Sequence, residues 1–451
     1  MRACMRAQGC TATLGSIVWN LLIRIIFLLL FEHDHLPSHC VRPSQYRLYQ
    51  VRALPDSSNS HRRDTHRYWG KRDTKLILPT NSSLSVTLSQ DHLRSTTTSR
   101  ADSEFEADRL WLNGKEEEIK AGGRTATCIA EMKRLRKLHV EDKDPSAASL
   151  SAWNVHIASF NNFPTAAGLA SSASGFAALV ASLAQLYQLP LSPSALSLIA
   201  RQGSGSACRS LYGGYVAWQM GSSPDGSDSL AVQIAPESHW PDMHALICVV
   251  SDDKKGTSST SGMQRTVETS SLLQHRIAHV VPKRMQDITK AIQERDFDSF
   301  ARITMADSNQ FHAVALDTEP PIFYMNDVSR SIIALVVEYN RVSLASGGGY
   351  KAAYTYDAGP NAVIYAPAAN MKAIIELIQY YFPQTPDSFK DVFGIQPYAQ
   401  GKLVEGFNEN VAKRFGVGGV KGLIHTRVGD GPRKLGDSES LLAANGLPEI
   451  K

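Results

Sequence analysis

The amino-acid sequence predicts a globular protein that combines helices and strands, and three patterns indicate this. After a turn at residues 79–81, apolar residues alternate with Ser and Thr over residues 84–88, which is typical of a strand. A similar alternation over residues 153–160 predicts a second strand. From Ser171 or Ser172 to Pro190, apolar residues recur every three or four positions, so a helix is expected there. A chain of 451 residues, 43% of them hydrophobic, is long enough for two or three domains.

The charge distribution and the cysteines exclude two classes of protein. The formal net charge is +4, but residues 1–72 hold eleven Lys or Arg against four Asp or Glu, which leaves −3 for the remainder. We therefore expect no nucleic-acid partner for the main body. The cysteines show no C-x-x-C spacing, so we expect reduced thiols in a cytosolic protein rather than a structural zinc site. They are Cys4, Cys10, Cys40, Cys128, Cys208 and Cys248.

Residues 1–60 differ in character from the rest of the chain. An apolar run at residues 17–31 is interrupted by Asn20 and Arg24. As a helix it would span roughly 22 Å, against about 30 Å of hydrocarbon in a bilayer. The residues that follow show neither helical nor strand periodicity. We expect an unstructured extension up to about residue 60, with a membrane contact through residues 17–31 as the alternative.

A charged segment at residues 115–139 contains interspersed apolar residues, and its later part is expected to be an amphipathic helix. The KRLRK run at 133–137 is interpreted as the solvated face of that helix.

The stretch SFNNFPTAAGLASSASG at residues 159–175 places small and hydroxyl residues just before the predicted helix. The first N–H groups of a helix lack intrahelical partners and carry the positive end of the dipole, so they suit a bound phosphate. Gly168 would allow close approach, and Ser171, Ser172 and Ser174 would add donors. No Gly-Lys-Ser or Gly-Lys-Thr follows, so this is not a Walker loop. The alternative is an ordinary Ser-capped helix.

A second anion-binding candidate lies at residues 200–218, where Gly203–Ser206 precedes Arg209 and an apolar YVAW strand. A flexible loop with two hydroxyls and a guanidinium is suited to gripping a carboxylate or diphosphate. Lys71 and Arg72 in YWGKRD form a third basic element, for which a surface turn is the alternative.

One carboxylate is placed to act on a substrate. The alternation in AAYTYDAGPNAVIYAP puts Asp357 near the end of a strand, just before a turn at residues 359–361. A carboxylate held there could orient or deprotonate a substrate hydroxyl. The alternative is an Asp that hydrogen-bonds its own turn.

Six segments together resemble the diphosphomevalonate decarboxylase family, within the superfamily of galacto-, homoserine, mevalonate and phosphomevalonate (GHMP) kinases. The resemblance runs from about Arg67 to about residue 425, close to four fifths of the chain. The segments are YWGKRDTKLILPTNSSLSVTLS, SFNNFPTAAGLASSASGFAALV, RQGSGSACRSLYGGYVAW, KKGTSSTSGMQ, MNDVSRSIIALV and AYTYDAGPNAVI.

The resemblance implies an α+β, two-layer, GHMP-kinase-like fold. Its N-terminal domain would resemble domain 2 of ribosomal protein S5, and its C-terminal domain would be ferredoxin-like. It places an N-terminal domain at residues 61–240, a C-terminal domain at 241–425 and a tail at 426–451. It also implies conversion of (R)-5-diphosphomevalonate and ATP, with Mg²⁺, to isopentenyl diphosphate, ADP, phosphate and carbon dioxide, in a cytosolic homodimer. No magnesium ligands can be assigned from the sequence.

Functional residues follow from the same resemblance. The catalytic set is Asp357, Arg209 and Ser172, with Asp357 as base and Arg209 holding the substrate carboxylate. Substrate-binding positions fall on Tyr68, Trp69, Gly70, Lys71, Arg124, Ser204, Gly205, Ser206, Ala207, Cys208, Arg209 and Thr260. Nucleotide-binding positions fall on Asn162, Pro164, Gly168, Ser171, Ser172 and Ser174.

The chain departs from the family pattern at its start. Family members carry a strand like APVNIATLKYWGKRD, whereas this chain reads SSNSHRRDTHRYWGKRD, with Arg62 and Arg67 at the positions of a family Asn and Lys. Either the first segment does not belong to the native protein, or the protein is a weakly active or inactive relative. The rival functions are a small-molecule kinase of the same fold that does not decarboxylate, and a non-catalytic binding protein.

Overall fold

The computed structural model describes residues 49–53, 63–66, 68–162, 171–251, 257–385, 388–398 and 401–449. In chain order the strands are β1 (Tyr49–Ala53), β2 (Arg63–His66), β3 (Lys71–Asp73), β4 (Leu78–Pro79), β5 (Ser83–Val86), β6 (Ser95–Asp102), β7 (Arg109–Leu112), β8 (Lys115–Glu117), β9 (Asn154–Asn161), β10 (Tyr215–Trp218), β11 (Ala231–Ala235), β12 (Met243–Val249), β13 (Ala353–Tyr356), β14 (Ala362–Pro367), β15 (Gly422–Arg427) and β16 (Arg433–Lys434). The α-helices are α1 (Arg124–Arg136), α2 (Ser171–Leu186), α3 (Pro193–Gly203), α4 (Ser259–Thr269), α5 (Ser271–His275), α6 (Val281–Glu294), α7 (Phe297–Leu316), α8 (Asp327–Ala345) and α9 (Met371–Tyr381).

The largest sheet has six strands in the order β16-β1-β6-β9-β7-β8. Its neighbouring strands are antiparallel except β7 and β9, which run parallel. Helices α1 to α3 bury their apolar faces against it, and Met132, Ile157, Val180 and Leu183 are fully buried there. Burying these apolar faces against one sheet gives a helical layer on a strand layer.

The described residues also form two four-stranded sheets, in the orders β11-β10-β5-β2 and β13-β14-β12-β15, and a two-stranded sheet of β3 and β4. The second of the four-stranded sheets lies in the largest apolar core together with residues of α6 to α9, and Ile247, Ile288, Leu335 and Ile375 are fully buried in it. Helices on one side of mixed and antiparallel sheets are the α+β arrangement that the sequence analysis expected.

The prediction of an unstructured extension up to about residue 60 is wrong for Tyr49–Ala53. These residues form β1, which pairs with β6 and β16. Likewise Arg63–His66 form β2 and pair with β5. Because backbone groups make the pairing, segments with a single β-branched residue each, Val51 in β1 and Thr65 in β2, can fill a place whose neighbouring strand offers partners. The apolar run at 17–31 lies outside the described residues, and no helix within the described part of the chain is long and apolar enough to cross a bilayer.

Residues 426–451, predicted as a tail, contribute to the sheets. Strand β15 continues to Arg427, and β16 borders β1. Leu442 is buried in an apolar cluster with Trp111 and Ala158. The boundary predicted at residue 425 therefore falls within a strand, while the division at residue 240 stays a prediction.

The KRLRK run is only partly a solvated face. Helix α1 is present, but Arg136 is 2% exposed and donates to the carbonyl oxygens of Tyr187 and Ala148, both at 3.0 Å. A long side chain with a guanidinium can satisfy buried carbonyl groups, which a charge pattern alone does not reveal.

Candidate active site

The segment at residues 68–70 directly precedes strand β3 and packs against helix α4. The Trp69 indole Nε1 donates to Thr266 Oγ1 at 3.0 Å. Gly70 has φ +97°, and a Cβ there would lie 2.7 Å from Val267 Cγ2. Only glycine fits this backbone at this distance from the helix. The predicted substrate-binding segment is thus held tightly against α4.

Arg209 is a fully buried cation whose orientation is fixed by three neighbours. Its Nη1 donates to Ser83 Oγ in β5. Its guanidinium carbon lies 6.0 Å from the ring centroid of Tyr68 and 5.8 Å from that of Trp218, within cation–π range. These contacts place the predicted carboxylate-binding group next to the YWGK segment.

The predicted flexible loop at residues 204–206 is a buried helical turn. Gly205–Leu211 form a 3₁₀ helix, and all seven residues are buried. Ser204 at its N-cap is 8% exposed, and Ser206 is fully buried. Gly205 is needed because a Cβ would lie 2.9 Å from Trp218 and 3.1 Å from Tyr68 Oη. The turn is rigid because Arg209 and the glycine both pack against the same aromatic pair.

Ala207 and Cys208 face the core rather than a ligand. Both are fully buried, in clusters with apolar residues of α2 and of β10 respectively. The Cys208 thiol donates to the Gly205 carbonyl at 3.0 Å. Their side chains contribute to the packing of the core. A contact with a ligand would therefore have to come from their backbone groups.

A cavity of about 790 Å³ lies beside the first turns of α2. Its polar lining includes Asn113, Lys115, Lys120 and Arg124, and Phe176 forms part of its apolar wall. The Arg124 guanidinium lies 5.6 Å from the Phe176 ring centroid. The N-terminus of α1 at residues 123–125, with cationic side chains around an apolar wall, fits a nucleotide, which has both a polyphosphate and a flat base.

Lys71 and Arg124, predicted to bind diphosphate, act on one another. Burial first, and then the positive charge of Arg124, lower the pKa of the Lys71 ammonium below its ordinary value. Two cations this close repel each other, and an anion between them would remove the repulsion. Arg72, by contrast, donates to the carbonyl oxygen of Met220 at 3.2 Å, so its guanidinium links two segments at the surface of the protein.

Three other predicted residues have different environments. Asn162 is exposed, and its amide bonds backbone groups of His92 and Arg94. Ser174 is fully buried, with its hydroxyl bonded to Ser95 Oγ in the contact between α2 and β6. Thr260 is exposed in the first turn of α4. Of the three, Asn162 and Thr260 have exposed side chains, while that of Ser174 is closed to a ligand.

The loop before α2 is only partly described. Pro164 and Gly168 lie outside the described residues. Ser171 and Ser172 are the first two residues of α2, as the sequence predicted. The assignments of these four residues stay predictions.

Asp357 follows strand β13 and is 7% exposed. Within the described part of the chain, neither of its carboxylate oxygens has a hydrogen-bond partner. Its backbone is fixed nearby, since the side-chain oxygen of Asn361 accepts from the N–H groups of Val250 and Ser251 at 2.7 and 3.0 Å. A buried carboxylate without a donor is costly, so this group is suited to a ligand that supplies one. The alternative of an Asp bonded to its own turn through the carboxylate is wrong.

The YW dipeptide connects Arg209 with the Asp357 segment. Tyr68 contacts Arg209, while Trp69 and Ala358 share one buried apolar cluster against which Tyr68 packs. The cation and the carboxylate therefore belong to one continuous region of the protein.

Sequence reasoning missed several residues of this region. Tyr324 is 8% exposed, packs edge-on against Trp69 at 5.8 Å and belongs to the Ala358 cluster. Lys115 and Lys120 line the cavity from the β7–β8 hairpin and the segment after it. The Asn113-Gly114 pair, with φ values of 49° and 80°, is a strong hairpin signal that could have placed Lys115. No pattern in the sequence could have found Tyr324.

Metal ligands and thiols do not add to the site. In the described ranges, no group of three or more His, Cys, Asp or Glu residues could hold a metal ion. Cys128, Cys208 and Cys248 are buried and form no disulfide within the described residues.

The comparisons with known proteins agree with this geometry. A diphosphomevalonate decarboxylase-like N-terminal domain model matches residues 65–231, and a mevalonate 5-diphosphate decarboxylase C-terminal domain model matches residues 245–435. The diphosphomevalonate decarboxylase of Ganoderma lucidum is 75% identical over 385 residues, which is 85% of this chain and 96% of the relative.

Solved structures of similar proteins extend the match to the fold. The mevalonate diphosphate decarboxylase from Trypanosoma brucei has a TM-score of 0.78 at 35% identity, over 88% of this chain and all of that one. A structure described as MDDEF in complex with MVAPP, AMPPCP and magnesium has a TM-score of 0.63 at 30% identity, over 86% and 98% of the two chains. The α+β fold expected from the sequence is thereby confirmed, and the chain belongs to the diphosphomevalonate decarboxylase family.

Proposed function

We propose that this protein catalyses the ATP-dependent decarboxylation of (R)-5-diphosphomevalonate to isopentenyl diphosphate, a step of the mevalonate pathway of isoprenoid and sterol biosynthesis. Membership of the family supports the reaction, and the unpartnered Asp357 carboxylate is the observation in this chain that carries it. A site for a polar substrate needs an acceptor that the protein itself has left unsatisfied.

The substrate's two anionic ends match two groups of cations. Arg209, buried and oriented, would hold the carboxylate through its planar guanidinium. Lys71 and Arg124 would hold the diphosphate, since their mutual repulsion disappears once an anion lies between them. Thr260 would add a hydroxyl from the first turn of α4.

ATP would occupy the cavity beside α2. Lys115, Lys120 and the N-terminus of α1 would face its phosphates, and Phe176 would contact its apolar part. Nucleotide binding itself is supported by two solved structures of relatives, one described as a complex with MVAPP, AMPPCP and magnesium and one described as showing ATP binding mediated by mevalonate diphosphate. Magnesium would bind mainly through phosphate oxygens and water, and it would neutralise charge during phosphoryl transfer.

The residues of the site perform two steps. Asp357 would take the proton of the tertiary hydroxyl as that oxygen bonds to the γ-phosphorus, and ADP leaves. The phosphate then leaves with the electrons of its C–O bond. Electrons of the C–C bond to the carboxylate form the new double bond, and carbon dioxide is released. Arg209 favours this fragmentation because it fixes the carboxylate relative to the leaving group.

We further propose that the protein works as a homodimer in the cytoplasm, as the family resemblance implies. Gel filtration with light scattering and fractionation of cells would test these two points.

The reaction is tested with the purified full chain, ATP, Mg²⁺ and diphosphomevalonate labelled at its carboxylate carbon. Release of labelled carbon dioxide with one ADP per turnover supports the proposal. ADP formation without carbon dioxide would identify a kinase, and binding without either product would identify a non-catalytic relative. Both outcomes contradict the proposal.

A further inference from the structure

A second buried polar atom without a partner lies near Asp357, on Tyr324. The side chain is 8% exposed, and within the ranges that the structure describes its hydroxyl has no hydrogen-bond partner. Burying a hydroxyl without a hydrogen bond costs about 1 to 3 kcal/mol in proteins. A tyrosine kept in this state needs a reason beyond packing, because phenylalanine would fill the same space.

The position of the Tyr324 ring is fixed by its surroundings. It packs edge-on against Trp69 with ring centroids 5.8 Å apart, and its hydroxyl lies 2.6 Å from where a Cβ on Gly262 would be. Ala358, the residue after Asp357, belongs to the same buried cluster. The hydroxyl therefore lies against the first turn of α4, while the side chain packs in the cluster that includes the neighbour of Asp357.

The chemistry of the two groups is complementary. A carboxylate only accepts hydrogen bonds, and a phenol has one proton to donate. Burial first, and then the charge of Asp357, raise the pKa of Tyr324 well above its ordinary value, while Arg265 on α4 has a smaller opposite effect. Tyr324 therefore stays protonated at neutral pH and is available as a donor.

We propose that Tyr324 is a positioning residue for Asp357. With substrate bound, its hydroxyl donates a hydrogen bond to one carboxylate oxygen of Asp357 and leaves the other facing the substrate hydroxyl. This inference rests on the proposed function and assigns one more residue to it. The backbone around Asp357 is already fixed through Asn361, so the rotation of the carboxyl group is what the tyrosine would set.

The test is Tyr324→Phe, with Tyr381→Phe as the matched control. Tyr381 is also fully buried, but its hydroxyl already donates to the carbonyl oxygen of Glu409 at 2.8 Å. Steady-state rates of carbon dioxide release are measured across pH for wild type and both variants, together with melting temperatures.

We expect kcat of Tyr324→Phe to fall about 10-fold, with the KM values for diphosphomevalonate and ATP within twofold of wild type. A hydrogen bond to the charged form lowers the pKa of a carboxyl group, so its loss should move the acid limb of the kcat profile to higher pH. Tyr381→Phe should change the melting temperature alone.

Three results would overturn the inference. They are an unchanged kcat and acid limb in Tyr324→Phe, equal changes in both variants, and a raised KM for diphosphomevalonate at constant kcat, which would mean a direct contact with substrate. A wild-type chain that releases no carbon dioxide would instead refute the proposed function.

Discussion

Arg209 and Asp357 are opposite charges buried to a similar degree, but the protein treats them differently. Arg209 bonds Ser83 and lies within cation–π range of two aromatic rings. The carboxylate of Asp357 has no partner in the described residues. Since an unpartnered buried charge is costly, the first group is one that the protein itself orients, and the second is one that a ligand must complete.

The largest effect is expected for Asp357→Asn. The amide cannot accept the hydroxyl proton, so kcat should fall about 1000-fold, within the range for loss of general base catalysis. The melting temperature should stay the same or rise, because an unpartnered buried charge is removed. Carbon dioxide release and calorimetry measure the two effects. A clear loss of stability would mean that the carboxylate is already satisfied, and the contrast with Arg209 would fail.

Arg209→Lys should lower kcat about 100-fold, because an ammonium lacks the planar fork that fixes a carboxylate. The KM for ATP should change little, since Arg209 does not line the cavity beside α2. This variant should also lose stability, unlike Asp357→Asn, since the contacts with Ser83 and the two rings are disturbed. Turnover equal to wild type would refute the role of Arg209.

Asp391 provides a matched control, because it is a buried carboxylate that the protein does satisfy. One oxygen bonds His425 Nδ1, and the other accepts from the N–H groups of Phe393 and Ile395 at 2.9 and 2.8 Å. Asp391→Asn should therefore cost about 2 kcal/mol of unfolding free energy, which denaturant titration measures. Its kcat should match that of wild type. If Asp391→Asn were as stable as wild type, the hydrogen bonds of the Asp391 carboxylate would not contribute to stability, and the comparison with Asp357 would fail.

The smallest effect is the pH dependence of stability around the same cluster. Burial, followed by the charges of His425 and Arg427, lowers the pKa of His244 to about 4. Below about pH 6.5 the imidazole of His244 binds a proton in the unfolded state, but in the folded state it stays neutral down to about pH 4. The free energy of unfolding is therefore highest above pH 6.5 and declines as the pH falls toward 4. Between pH 7 and pH 6 the loss should be roughly 0.7 kcal/mol, and His244→Gln should reduce it. An unfolding free energy independent of pH over this window would contradict the assignment.

Local patterns predicted the elements that their own residues determine. The apolar spacing after Ser171 gave α2, and the alternation before Asp357 placed that carboxylate at the end of β13. Both follow from side-chain periodicity, which is visible within ten to twenty residues.

What the sequence could not reveal depends on distant partners. Strand β1 exists because β6 and β16 offer it backbone groups, and Arg136 is buried because carbonyl groups of other segments meet it. Tyr324 acquires its environment from Trp69 and Gly262, both more than fifty residues away. Such contacts have no local periodicity, so tertiary structure alone reveals them.

The pairing of β1 with β16 joins residues separated by about 380 positions in the chain. During synthesis the strand β1 leaves the ribosome long before Arg433 and Lys434 exist, so this edge of the six-stranded sheet cannot close until those two residues have been made. Until then, the outer edge of β1 is an open template for other nascent strands. A chaperone that shields that edge would protect this protein most in the interval between the synthesis of β1 and that of β16.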